Sequence, residues 1–331
     1  MTLEEAEKLI YDSLREGKAD TARHILEMIL NVAGNQAEVK QLLVHVQPLL
    51  VLDNILTSLE KTRVRVSRST QIEALRLYRD MLADEKYADP RRVERYGESF
   101  YSQNDEDGII AEIFRRIGTT NCTFLEFGID NGLECNTLLL TYKGWRGVWM
   151  DGNEQNIDFV RQKFKPLIDS GALRVQRQWI TAETINDVIT SLDLPREIDL
   201  LNIDIDGNDY HVFKSIDTLQ PRVVIIEYNG KLPPPILAVQ HYRAEARWDG
   251  SDYTGCSLAS LTGLATRKGY QLVGCNITGS NAFFVRQDLC GDRFYTPATA
   301  EALFNPARYG LYYGGAFQSG HTASYGEWDF I

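Results

Sequence analysis

Paired cysteines are missing from this sequence. The five that occur (Cys122, Cys135, Cys256, Cys275 and Cys290) form no CxxC pair and have no histidine at zinc-ligand spacing, which excludes the common zinc modules. Their odd number fits free thiols in a reducing compartment rather than a disulfide framework. Long apolar runs are absent too: none approaches the roughly 18 residues of a membrane span. Charged residues occupy the N-terminus, where a secretory signal would carry an apolar core, so the expectation is a soluble cytoplasmic protein. Positive charge is short as well, with 35 Lys and Arg against 46 Asp and Glu and a net charge of -11. Sequence-independent nucleic-acid binding depends on clustered Lys and Arg, so no nucleic-acid partner is expected.

With 331 residues the chain is long enough for two domains of roughly 100 to 200 residues each. The first 90 or so carry helical periodicity. Thr2 and Glu5 form a capping-box pattern ahead of Leu9, Ile10 and Leu14. A second stripe follows at Ala22, Ile25, Leu26, Ile29 and Leu30, a third stretch runs from Val39 to Leu59 across Pro48, and a fourth holds Ile72, Leu75, Tyr78, Met81 and Leu82. The charged segments KTRVRVSR (61–68) and DPRRVERYGE (89–98) bracket the last helix. They set a predicted boundary between a helical domain at 1–92 and an α/β domain at 93–290, with an aromatic, Gly-rich tail at 291–331 that packs on it. The helical domain is assigned, by position alone, to dimerisation or to gripping an acceptor or partner.

From residue 100 short apolar strands alternate with helical stretches: 123–128, 147–151, 172–177, 198–204, 222–228, 270–274 and 281–286. Alternation with near-continuous apolar strands predicts a mostly parallel sheet covered on both faces. The connection between the last two strands is too short for a helical crossover, so they should pair antiparallel.

Strand one ends in Glu126-Phe127-Gly128-Ile129-Asp130-Asn131-Gly132, where glycines let the backbone approach a ligand at the carboxyl edge of the sheet. Asp151-Gly152-Asn153 ends strand two, about 20 residues further on, where a carboxylate can accept both hydroxyls of a ribose. Adenosyl and nicotinamide nucleosides both satisfy that pair, so an NAD-dependent oxidoreductase stays open. The missing third glycine and the acidic and amide groups Glu126, Asp130 and Asn131 suit a sulfonium with an amino-acid tail better than a pyrophosphate. Strand four ends in Asn202-Ile203-Asp204-Ile205-Asp206-Gly207-Asn208-Asp209 and strand five in Glu227-Tyr228-Asn229. Oxygens converging there could hold a divalent cation such as magnesium, with Asp204, Glu227 and Asn229 as ligands and Asp206 behind them. Such a cation would lower the pKa of an acceptor hydroxyl. Asp204 and Asp206 are the catalytic carboxylates of this reading, and His211 is the general base if no metal is present. His241 and His321 are weaker candidates. Asp105 and Glu106 read as helix-capping acids, with Gln103 beside them as a cofactor contact. The loop from Asn229 to Ser257 reads as a substrate lid in which Trp248 and Tyr253 could stack on a sugar.

Taken together, SQNDEDGII, FLEFGIDNGLECNT, GWRGVWMDGN, DLLNIDIDGNDY, VVIIEYN and GCSLASLTGLATRKGYQLVGCNITGSNAFFVR resemble the FkbM-like branch of class I S-adenosylmethionine (SAM)-dependent methyltransferases. The resemblance spans roughly residues 100 to 288. It implies a Rossmann-like, seven-stranded doubly wound sheet with its last strand antiparallel. By the same resemblance Glu126, Gly128 and Asn131 would face the methionine part of SAM, Asp151 would hold the ribose, and Ala182 and Glu183 would lie at the adenine. It further implies O-methylation of a glycan or glycosylated metabolite. Many relatives read Asp-x-Glu-Gly after strand four, where this chain has Asp204-Ile205-Asp206-Gly207. A third reading is a degenerate SAM-binding module that works through a protein partner.

Overall fold

The computed structural model describes residues 3–15, 18–33, 69, 72–311 and 321–331. Thr2, the Val39–Leu59 stretch with Pro48, the 61–68 charge run, and Tyr312, Tyr313 and Phe317 of the tail lie outside the described residues. The chain divides into two compact units, Met1–Thr70 and Gln71–Ile331.

In the first unit, α1 (Leu3–Arg15) and α2 (Ala19–Ala33) pack together. Ile10 of α1 and Ala22, Ile25, Leu26 and Ile29 of α2 are buried, as the 3.6-residue stripes predict; Ala6 is buried beside them, whereas Leu9 of the first stripe is exposed. No helix among the described residues is long and apolar enough to cross a membrane.

The second unit begins earlier than the charge runs suggest. Helix α3 (72–82) brings Tyr78 against Ile277 and Leu311, and the Tyr78 hydroxyl donates to Asp105 Oδ2 at 3.0 Å. Tyr87 donates to Asn305 Oδ1 at 2.6 Å. These buried tertiary contacts, which no local pattern announces, hold residues 72–92 on the α/β unit.

After α4 (Glu106–Ile117) comes a sheet of seven strands. They are β1 (Thr123–Phe127), β2 (Arg146–Asp151), β3 (Leu173–Arg177), β4 (Glu197–Ile203), β5 (Gln220–Glu227), β7 (Tyr270–Cys275) and β8 (Asn281–Arg286), in the order β3-β2-β1-β4-β5-β8-β7. The first five are parallel, while β8 runs antiparallel to both β5 and β7. Successive residues bury themselves on opposite faces: Leu125 and Phe127 join one apolar cluster and Phe124 the other. Both faces are therefore dry, which is why the strands read as apolar runs. The helices α5 (Leu138–Tyr142), α6 (Glu154–Lys163), α7 (Lys165–Asp169), α8 (Ile185–Ser191), α9 (Asp209–Ser215) and α10 (Leu258–Arg267) fall between strands.

Winding runs outward from β1 to β3, then returns to β4 on the other side of β1. Loops diverge at that reversal and leave a crevice at the carboxyl ends of β1 and β4. Over this edge lies the 229–257 segment. Its strand β6 (Val239–Gln240) pairs with β9 (Trp328–Asp329), so the last residues of the chain strap the segment down.

Candidate active site

Glu126, next to last in β1, is buried. Its Oε1 accepts from Asn136 N (2.9 Å) and Asn202 Nδ2 (3.1 Å), and its Oε2 from the amide and hydroxyl of Thr137. Burial pushes this carboxyl up to about 7 against the pull of those bonds. The residue anchors the start of α5 more than it faces a ligand. Gly128 has φ +73°, and a Cβ there would stand 1.4 Å from the Asp204 carbonyl oxygen. Its glycine therefore admits the β4 loop, not only a ligand. Asp130, also left-handed at φ +46°, donates its N–H to Asp151 Oδ2 at 3.0 Å. The β1 and β2 loops are thus tied across the crevice.

Here a cleft of about 380 Å³ opens. Gly128, Asp130, Asp151, Gly152, Asn153 and Asp204, which the sequence reading assigns to the cofactor, line it together. Asp151 is pushed up by burial, opposed by the N–H groups of Asn153 and Asp130 that its carboxylate accepts. Gln103, Glu126 and Asn131 line an adjoining cavity of about 110 Å³ that shares Gly128, Asp130 and Asp204 with the cleft.

At the floor, ligand oxygens of Asp204, Asp206 and Glu227 all lie within 4.8 Å of one another. Burial, then the charges of Asp206 and Asp209, push Asp204 well up. Glu227 is pushed well up by burial and then by Asp204 and Asp206, and Asp206 is raised by burial and by Asp130 and Asp151. No Lys or Arg among the described residues pairs with any of the three. Asp209 shapes the loop that carries them, its oxygens accepting from Ile205 N (2.9 Å) and Gly207 N (2.8 Å). Three close carboxylates without a counter-charge are what a hard divalent cation requires.

Residues 112–242 match the sequence profile of the methyltransferase FkbM domain. That segment is similar to the methyltransferase FkbM domain. No curated protein matches the chain. Among solved structures, WbdD aligns at 18% identity over 54% of this chain and 38% of its own, with a TM-score of 0.34. Magnesium protoporphyrin IX methyltransferase (ChlM) from Synechocystis PCC 6803 with bound SAM aligns at 14% over 64% of this chain and 97% of its own, TM-score 0.37. The N-terminal domain of EvdMO1 with bound SAH aligns at 14% over 66% and 94%, TM-score 0.36. The chain thus spans little more than a third of the length of WbdD.

Several expectations shift within the matched segment and its flanks. Ala182 and Glu183 do not line the cleft; Ala182 N and the Glu183 carboxylate both bind the Tyr242 hydroxyl. The residues just before them, Gln178, Trp179 and Ile180, line it instead. Trp179 lies over Gly152, where a Cβ would stand 2.6 Å from the indole, and the Arg247 guanidinium covers the ring at 4.9 Å. Replacing Trp179 by Ala should weaken S-adenosylhomocysteine (SAH) binding by about tenfold or more, for loss of an aromatic wall. Glu183→Gln should change it by less than about twofold. Titration calorimetry reads both, and the reverse ranking would return the adenine to the later residues.

Asn229 lines a cavity with Asp206 and Glu227, but its amide is engaged by the loop. Its Nδ2 donates to Asp252 O (2.8 Å) and Thr254 O (3.0 Å), and its Oδ1 accepts from Lys231 N, so the amide shapes the loop. Asp206 stands with Asp204 and Glu227 in the carboxylate group. His211 lines neither cavity at this edge: its Nε2 lies 2.9 Å from Gln240 O, its ring packs between Tyr210 and Tyr242, and burial holds its pKa below the ordinary range. His241 pairs with Asp329 at 3.2 Å. His321 is the histidine near the carboxylates. It lines a cavity of about 40 Å³ with Asp206, Glu227, Thr254, Trp248 and Tyr309, its ring against Trp248 and Tyr309. Thr254 Oγ1, in that wall, is buried without a hydrogen-bond partner. Trp248 lines both this cavity and the main cleft, as a lid residue should, whereas Tyr253 packs on Trp328 behind them.

Asp105 occupies the cap position of α4 but makes no side-chain cap bond. It accepts from Tyr78 instead, and burial pushes it up to about 7. Glu106 turns inward to accept from Asn104, Asn276 and Asn281. The loop before α4 is held by Asp107, whose Oδ2 accepts the N–H groups of Phe100, Tyr101 and Ser102.

Proposed function

We propose that the chain is a SAM-dependent O-methyltransferase acting on a hydroxyl of a glycan or glycosylated metabolite, with a divalent cation held by Asp204, Asp206 and Glu227. The observation that carries the reading is the uncompensated carboxylate trio, of which Asp204 and Asp206 line the cleft and Glu227 the small cavity beside it, in a chain with a segment similar to the FkbM domain. A cation bound there would lower the pKa of an acceptor hydroxyl. Asp151 holds the ribose, and Gln178, Trp179 and Ile180 border the adenine. The acceptor enters beside Trp248, Tyr309 and His321, aromatic walls suited to the apolar faces of a sugar ring. Its oxygen attacks the methyl carbon in line, the carbon–sulfur bond breaks toward SAH, and the hydroxyl proton leaves to a carboxylate or to water. Lid and strap position the acceptor and exclude water, the main contributions such a site makes to rate.

Exposed Leu9 on α1 and Met28 on α2 mark the face on which we place homodimerisation. Four of the five cysteines are buried and all are unpaired, which supports a cytoplasmic setting. The reading is tested by transfer of labelled methyl from SAM to a panel of methyl glycosides and glycosylated metabolites, with and without Mg²⁺. Label in an ether methyl, lost with EDTA and in Asp204→Asn, is expected. Label on nitrogen, or transfer indifferent to both EDTA and the substitution, overturns the acceptor class or the cation respectively.

A further inference from the structure

Four arginines meet on a face of the α/β unit away from the cleft. Arg91 belongs to the charged 89–98 segment, Arg115 and Arg116 to the last turn of α4, and Arg293 to the segment after β8. With Pro90 and Tyr96 they line a shallow hollow of about 370 Å³, and none of its described lining residues is an Asp or Glu. Arg222, near the start of β5, donates to Ile117 O and Gly118 O at 2.9 Å, so this end of α4 lies at the amino edge of the sheet, opposite the cleft.

Basic residues in the last turn of a helix often only meet its dipole. That accounts for Arg115 and Arg116 but not for Arg91 and Arg293, which come from two other segments. Arg116 gathers them. Its side chain is 6% exposed; Nη1 donates to Arg91 O (2.6 Å) and Arg293 O (2.8 Å), and Nη2 to Pro90 O (3.0 Å). The other three keep free donors. Arg91 and Arg115 each bind one carboxylate, of Asp89 and Glu112 respectively, through Nε and Nη2, and Nη1 of each has no hydrogen-bond partner among the described residues. Arg293 donates only from Nη1, to Leu289 O at 3.2 Å. Asp89 and Glu112, with Asp292 acting more weakly on Arg91, do not balance the four guanidinium charges. The local excess is positive in a chain of net charge -11.

Guanidinium groups held in place by carboxylates, with N–H groups to spare, match the oxygens of a phosphoryl group, which they bind through charge-assisted hydrogen bonds. A single exposed ion pair contributes little, so the convergence of several is what makes a site. We propose that this hollow binds a phosphoryl group, carried by a soluble phosphate ester or by a lipid headgroup, independently of the cleft.

The test titrates inorganic pyrophosphate calorimetrically into the full chain freed of divalent cations. Arg115→Gln and Arg293→Gln should each weaken its binding by about fivefold or more, and Arg161→Gln, an exposed arginine on α6, should leave it within about twofold. Glu112 keeps Arg116 when Arg115 is replaced, and Arg293 contributes one side-chain hydrogen bond, so both variants should fold and bind SAH as wild type does. Flotation with phosphatidylcholine vesicles, with and without phosphatidic acid, separates the sources. Flotation that needs phosphatidic acid and is lost in both variants assigns a headgroup; pyrophosphate binding without flotation assigns a soluble ester. Wild type that binds neither probe, or variants that bind both probes as wild type does, overturns the inference.

Discussion

Mn²⁺ titrated into the wild-type protein should bind at one site, and Asp204→Asn or Glu227→Gln should each weaken it by about a hundredfold or more. Oxygens of Asp204, Asp206 and Glu227 stand within 4.8 Å of one another and are not neutralised by any described Lys or Arg. Burial, followed by the charges of neighbouring carboxylates, pushes all three upward, so protons and the cation compete for the same oxygens. The sign follows: affinity should rise with pH across the neutral range, because raising pH removes the competing protons. SAH carries no sulfonium charge, so both variants should still bind it within a few-fold. Isothermal titration with Mn²⁺ and then SAH separates the two effects. Mn²⁺ binding equal to wild type in both variants would remove the cation from the account, while joint loss of SAH would mean that the floor of the cleft had collapsed.

Gly128→Ala should fail to fold or lose about 4 kcal/mol or more, at the upper end of single substitutions. The new Cβ would meet the Asp204 carbonyl oxygen at 1.4 Å, and φ is +73°. Backbone on both sides belongs to central strands, so little can give. Gly171→Ala is the control. It has nearly the same φ, +72°, with nothing within 4 Å, and should cost only about 1 kcal/mol for the left-handed backbone. Urea denaturation of both reads the difference, and equal losses would mean that the β1 and β4 loops do not pack as described.

The sheet was legible because its signals are local. Near-continuous apolar strands, a short last connection and carboxylates at strand ends each sit within a few residues. Asp151, Asp204, Asp206 and Glu227 could be named for that reason. What escaped depends on distant residues meeting. Glu126 lines the cavity adjoining the cleft, but its hydrogen bonds to Asn136, Thr137 and Asn202 come from residues that no local pattern brings to it. Asn229 offers an amide at the right strand end, but Asp252 and Thr254 fix its direction. Trp179 walls the cleft because Gly152 leaves room for an indole, a pairing 27 positions apart that only folding brings about. The importance of Trp179 could have been suspected, since a tryptophan directly after β3 at the ligand edge is conspicuous. His321 gave no such signal: it arrives through the strap formed by β6 and β9.

The central claim is that the cleft at the carboxyl ends of β1, β2 and β4 binds an S-adenosyl nucleoside with Asp151 on its ribose. Titration calorimetry of SAH into wild type and Asp151→Ala, with NAD as the comparison ligand, tests it most directly. The account predicts micromolar SAH binding to wild type, a loss of about a hundredfold in Asp151→Ala, and no NAD binding. Binding of NAD in preference to SAH, or of neither, would contradict it.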